Sequence, residues 1–146
     1  MMVALPDLAA TEALGAALAQ RLAPGDALLL QGDLGSGKTT LARAILTALG
    51  VDEAVPSPTF TLVQAYDTPR LAVSHYDLYR LKRPSEMDEL GLEEALEEGA
   101  ALIEWPERAE GRLPADALTI HLQANGERRA ALDGPPRWRS LEAAYV

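Results

Sequence analysis

The chain has 146 residues, no cysteine, and 22 acidic against 13 basic side chains, for a formal net charge of −9. That length suits one compact domain spanning 1–146, and the missing cysteines exclude a disulfide framework and a thiolate metal site. The charge argues against a direct grip on nucleic acid, which relies on Lys and Arg neutralising phosphates; the longest basic runs are "RLKR" (80–83) and "RR" (128–129).

The opening "MMVALPDLAA" has no basic region, and its apolar run is broken at Pro6 and Asp7, so it does not read as a signal peptide. No apolar stretch approaches the roughly 20 residues of a membrane span. A cytoplasmic protein is the expectation. "TEALGAALAQRL" (11–22) places Leu14, Leu18 and Leu22 on one helical stripe, and "PGD" (24–26) ends it. "ALLLQ" (27–31) is a continuous apolar run, as for a strand covered on both faces. Lys38 to Leu49 reads as a helix with Leu41, Ile45 and Leu49 on one side and Gly50 as its stop.

"VPSPTF" (55–60) is a proline-punctuated loop. Its Thr59 and the following Thr61 could close on a γ-phosphate, or the segment could be a rigid turn. "FTLVQAY" (60–66) and "LAVSHY" (71–76) read as strands joined by "DTPR". Ser85 and Asp88 have the spacing of a helix cap. "GLEEALEEG" (91–99) reads as a solvated helix face or a partner-docking surface. "ALIE" (101–104) is another buried strand, stopped by Trp105 and Pro106. "ALTIHLQ" and "RRAAL" flank "ANGE", a hairpin signal, and "WRSLEAAYV" reads as a closing helix. Strands alternating with helices, then a late hairpin, predict an α/β fold of three layers, with a mixed central sheet flanked by helices.

The pattern Gly32-x-x-x-x-Gly37-Lys38-Thr39 lies between the apolar strand and the helix, where a phosphate-binding loop belongs. Glycines let the backbone wrap phosphate oxygens with N–H groups inward, and the helix N-terminus favours an anion. Lys38 would reach the β and γ phosphates, and the Thr39 hydroxyl would ligate Mg2+. Asp33 would have to point away. A hard metal needs a further oxygen ligand, and two strand-end carboxylates offer one, Asp77 and Glu104. Each could touch the metal, hold a metal-bound water or orient an attacking water. His75 could orient Asp77 or be a core residue, and Trp105 reads as packing at the mouth of the site. The single asparagine, Asn125, is followed by Gly-Glu, so the Asn-Lys-x-Asp element of guanine recognition is missing; ATP is the better fit.

"GDLGSGKTTLARA", "SPTFTLV", "HYDLYRL", "ELGLEE" and "LIEWPER" occur in that order over roughly residues 8–132. Together they resemble the bacterial TsaE (YjeE) family. The resemblance implies a small cytoplasmic P-loop ATPase, P-loop NTPase-like in fold, with ATP and Mg2+ as cofactors. It would be required for forming the threonylcarbamoyl group on adenosine 37 of tRNAs reading ANN codons. It would act with the TsaD–TsaB complex, meeting tRNA only through that complex, rather than transferring the group itself. Position by position, the resemblance implies that Gly35, Ser36, Gly37, Lys38, Thr39 and Thr40 hold phosphate. Thr39 and Glu104 would hold the metal, Asp77 would be the essential aspartate, and Lys38, Asp77 and Glu104 would form the catalytic set. Thr11 would lie near the nucleotide. The family's C-terminal glycine–arginine element reads "GERR" (126–129) here, which leaves a nucleotide role for Arg128 open. A small-molecule kinase, or a nucleotide-gated binding module with negligible hydrolysis, are the alternatives.

Overall fold

Strand β2 (Ala27–Gln31) is in the middle of a seven-stranded sheet, where its apolar run is covered from both sides. The computed structural model of the chain describes residues 1–53, 55, 56, 58 and 61–144. The other strands are β1 (Met2–Ala4), β3 (Val63–Asp67), β4 (Ala72–Asp77), β5 (Gly99–Glu104), β6 (Leu118–Gln123) and β7 (Arg129–Asp133), in the spatial order β1-β7-β6-β2-β5-β4-β3. The central four, β6, β2, β5 and β4, are parallel, whereas β3, β7 and β1 add antiparallel edges. The sheet is therefore mixed and carries helices on both faces, as expected for the α/β class.

Helix α1 (Leu8–Arg21) begins three residues before the apolar stripe at 11–22, because the Asp7 side chain accepts a hydrogen bond from the Ala10 N–H at 2.9 Å and caps it. Helix α2 (Lys38–Ala48) ends as Gly50 predicts: Gly50 takes φ +105°, its N–H donates to Thr47, and the Val51 N–H reaches back to Leu46. Both helices cover one face. Their Leu14, Leu18, Leu41, Ile45 and Leu46 pack with Leu28, Leu30, Val73, Ala100, Leu102 and Ile120, alternate residues of the strands. Gly15 permits the close approach of the helices, since a Cβ there would stand 2.6 Å from the Cβ of Ala44.

The opposite face is built from Ala27, Leu29, Tyr76, Ala101 and Ile103, the other half of the alternation. It is covered by the short helix α3 (Leu92–Glu98) and by 3-10 turns at Pro84–Glu89 and Pro106–Ala109. No residue of α3 is fully buried, so "LEEALEE" is the solvated face its charges suggest. Ser85 does not cap the 84–89 turn. Glu86 does, its Oε1 accepting from the Lys82 and Arg83 N–H groups at 3.1 Å, because a carboxylate one residue later reaches both donors. The β6–β7 hairpin forms, with Gly126 at φ +76° in a five-residue connection. The closing segment, Pro136–Ala144, is 3-10 rather than α-helical; Tyr145 and Val146 of the expected closing helix lie outside the described residues. No helix among the described residues is long and apolar enough to cross a membrane.

Candidate functional site

The carboxyl ends of the parallel strands meet at the loop that follows β2. Gly37 has φ +105°, a conformation open mainly to glycine, and it presents no side chain to occupy the first N–H groups of α2. A Cβ at Gly32 would collide with Ser36 Oγ and stand 2.8 Å from the Leu122 carbonyl, so the loop can close on itself only with glycine there. Lys38 lies under this loop, nearly buried. Its Nζ donates to the carbonyls of Gly32 (2.6 Å) and Asp33 (2.9 Å) and to Ser36 Oγ (3.4 Å). It also stands 4.0 Å from the centre of the Trp105 ring. Burial pushes the Lys38 ammonium below the ordinary lysine value, outweighing the attraction of Glu104, Glu107, Asp77 and Asp33.

Asp77 and Glu104 are the last residues of neighbouring strands and stand directly opposite each other in register. Both are almost fully buried. One Glu104 oxygen, Oε1, accepts from the Thr39 hydroxyl at 2.8 Å; the other, Oε2, is 2.6 Å from His75 Nε2. Asp77 Oδ1 accepts from the Tyr79 N–H at 3.0 Å. His75 therefore bonds Glu104, not Asp77. The reason is strand direction: His75 and Asp77 lie on the same face of one strand, and the parallel partner brings Glu104 up beside them.

These groups surround a cavity of about 400 Å3. Gly35, Gly37, Lys38, Thr39 and Thr40 form its floor, Asp77 and Glu104 one wall, and Tyr79, Trp105, Arg128 and the exposed Leu34 its rim. Ser36 is buried behind the loop, Asp33 is exposed and does not line the cavity, and Thr11, in the first turn of α1, is not among the lining residues. Thr59 of the switch-like segment lies outside the described residues; Thr61 is exposed.

Reading the chain as a string misses two features. Trp105 takes a left-handed φ of +58° at the end of β5, held by its N–H to the Leu30 carbonyl, and this turns its indole over Lys38. Tyr79 packs on it with ring centres 4.9 Å apart, and Arg108 stands over Tyr79 at 5.4 Å. Arg128, from the far end of the chain, reaches the cavity beside Gly37, its Nη1 3.9 Å from where a Cβ there would stand. The motif "IEWPER" holds Trp105 and Arg108, but nothing in it says that both pack on Tyr79.

Comparison with known proteins agrees with this fold. The family described as "Threonylcarbamoyl adenosine biosynthesis protein TsaE" matches residues 5–131. A Rickettsia conorii protein named tRNA threonylcarbamoyladenosine biosynthesis protein TsaE is 40% identical over 139 residues, covering 93% of this chain and 79% of the relative. A Bacillus subtilis protein of the same name is 39% identical over 118 residues, 80% of this chain and 73% of the relative. The crystal structure of B. subtilis YdiB superposes with a TM-score of 0.78 at 29% identity, covering 99% of this chain and 93% of that one. The family's profile takes in the phosphate loop, both strand-end carboxylates and the Trp105 turn alike, and on this footing the chain belongs to the TsaE family.

Proposed function

We propose that the chain is a single P-loop ATPase domain that binds ATP with Mg2+ and serves tRNA threonylcarbamoyladenosine biosynthesis in the cytoplasm as a subunit of the TsaD–TsaB machinery. The observation that carries the reading is the convergence of Lys38, Thr39, Asp77 and Glu104 on one cavity below free α2 N–H groups. Polyphosphate would displace the carbonyls of Gly32 and Asp33 as the partners of the Lys38 ammonium. The Thr39 hydroxyl and Glu104 Oε1, already in contact, are the oxygen donors that would hold Mg2+. Among the described residues no cluster of three or more His, Asp or Glu side chains could cage a metal. That suits Mg2+, which is commonly held by one or two protein oxygens together with phosphates and waters, and which would supply charge neutralisation on the phosphates. Asp77, buried beside Glu104 and lining the same cavity, would accept a proton from a water or orient it. An acidic chain need not grip tRNA itself, which supports contact through the TsaD–TsaB complex.

The test is Mg-ATP hydrolysis by the purified chain, alone and with TsaD–TsaB. Stimulation by the complex is expected, and Lys38→Ala should weaken ATP binding about 10- to 100-fold by removing a charged hydrogen-bond donor. Phosphate transfer to a small acceptor, with no response to TsaD–TsaB, would replace this reading with a kinase.

A further inference from the structure

We infer that His75 is a positioning residue for Glu104: it donates from Nε2 to one carboxylate oxygen, and so turns the other toward Thr39 and the metal. The inference rests on the nucleotide and metal reading above. It deepens that reading by giving a role to a residue outside the cavity lining.

His75 is wholly buried, on β4, and does not itself line the cavity. Its Nε2 is 2.6 Å from Glu104 Oε2, while Oε1 of the same carboxylate accepts from Thr39 Oγ1 at 2.8 Å. An ionised carboxylate only accepts, so the proton of the first contact belongs to Nε2. His75 Nδ1 is buried with no hydrogen-bond partner among the described residues. The contact to the carboxylate therefore assigns the Nε2 proton, whatever Nδ1 carries. The imidazole then acts as a fixed donor. It holds Oε2, prevents the carboxylate from rotating about its Cγ–Cδ bond, and leaves Oε1 as the oxygen that can exchange the Thr39 hydroxyl for a metal. Partners of this kind set the orientation and basicity of metal ligands without touching the metal. His75 bonds the carboxylate that meets the phosphate-loop threonine, 29 residues away in sequence.

Two substitutions separate positioning from packing. The amide nitrogen of glutamine reaches the place of Nε2, whereas that of asparagine falls near Nδ1. Affinity for a fluorescent ADP is measured with Mg2+ and with EDTA. His75→Asn is expected to weaken Mg-ADP binding about tenfold and to change ADP binding in EDTA by less than about twofold, and His75→Gln is expected to restore most of the Mg-ADP affinity. Equal losses in Mg2+ and EDTA, or a His75→Gln variant no better than His75→Asn, would overturn the inference. Should either variant fail to fold, nitrogen-15 imidazole shifts of the wild-type chain without nucleotide test the donor itself: a proton on Nε2 is expected, and an Nε2 that carries none would overturn the inference. A wild-type chain that binds ADP equally in Mg2+ and EDTA would instead overturn the metal site itself, a distinguishable failure.

Discussion

The two faces of the sheet are closed by unequal layers. On one, α1 and α2 bury five large aliphatic side chains completely against alternate strand residues; on the other, α3 buries none of its residues fully. The strands on the thick side also change character along their length. Val73 leads to His75 and Asp77, and Leu102 leads to Glu104, so the same face that is apolar at the bottom becomes polar at the top. On the thin face β5 stays apolar through Ala101 and Ile103 and β4 reaches Tyr76, while β2 and β6 run out into Gln31 and His121, paired in register. Core and chemistry thus share one layer. Helix α2 contributes Leu41, Ile45 and Leu46 to the packing and, at its first turn, Lys38 and Thr39 to the cavity. Close packing of α2 is what holds Thr39 against Glu104 and keeps Lys38 in the same cavity.

If that contrast is right, the thick face should be intolerant of change. Leu46→Ala should cost about 2–5 kcal/mol, read from urea unfolding, because the side chain is wholly buried and the surrounding helices cannot collapse onto the void. Gly15→Ala comes next, at about 1–3 kcal/mol in the same measurement, since its Cβ must part α1 from Ala44 of α2.

A smaller effect tests the polar end of that face. Lys38 in the free chain titrates below the ordinary lysine value of 10.5 because burial disfavours its ammonium. Bound polyphosphate would raise it. Between the two values the bound state holds a proton that the free state has lost, so nucleotide affinity should fall as pH rises through the free-state value. Calorimetry of ADP binding in buffers of different ionisation enthalpy should show proton uptake in that window; proton release would contradict the desolvated lysine. The smallest effect belongs to the thin face. Leu96→Ala in α3 should cost under about 1 kcal/mol, since the side chain is only half-buried. A loss there as large as at Leu46 would break the contrast.

How much of this could be read in the sequence differs by element. Strand β2 is legible to the residue, because a strand covered on both faces is an unbroken apolar run. The Gly50 stop and the phosphate loop are equally plain, because glycine positions carry their own backbone requirement. Strand β1 is not legible. Three residues carry no period, and Met2–Ala4 is a strand only because β7 lies beside it with Val3 opposite Ala130. Strand β5 begins at Gly99, two residues before the apolar run, because Ala72 and Gly99 pair in register and the Ala72 carbonyl leaves no room for a Cβ.

The candidate site divides the same way. Contiguous residues determine the loop, the helix that leaves it, and the presence of Asp77 and Glu104 at strand ends, because those features depend on local backbone rules. Tertiary structure alone decided that His75 bonds Glu104 rather than Asp77, that Trp105 covers Lys38, and that Arg128 arrives beside Gly37. Those contacts depend on strand order and register, which the packing of the whole chain sets, and no stretch of neighbouring residues encodes them.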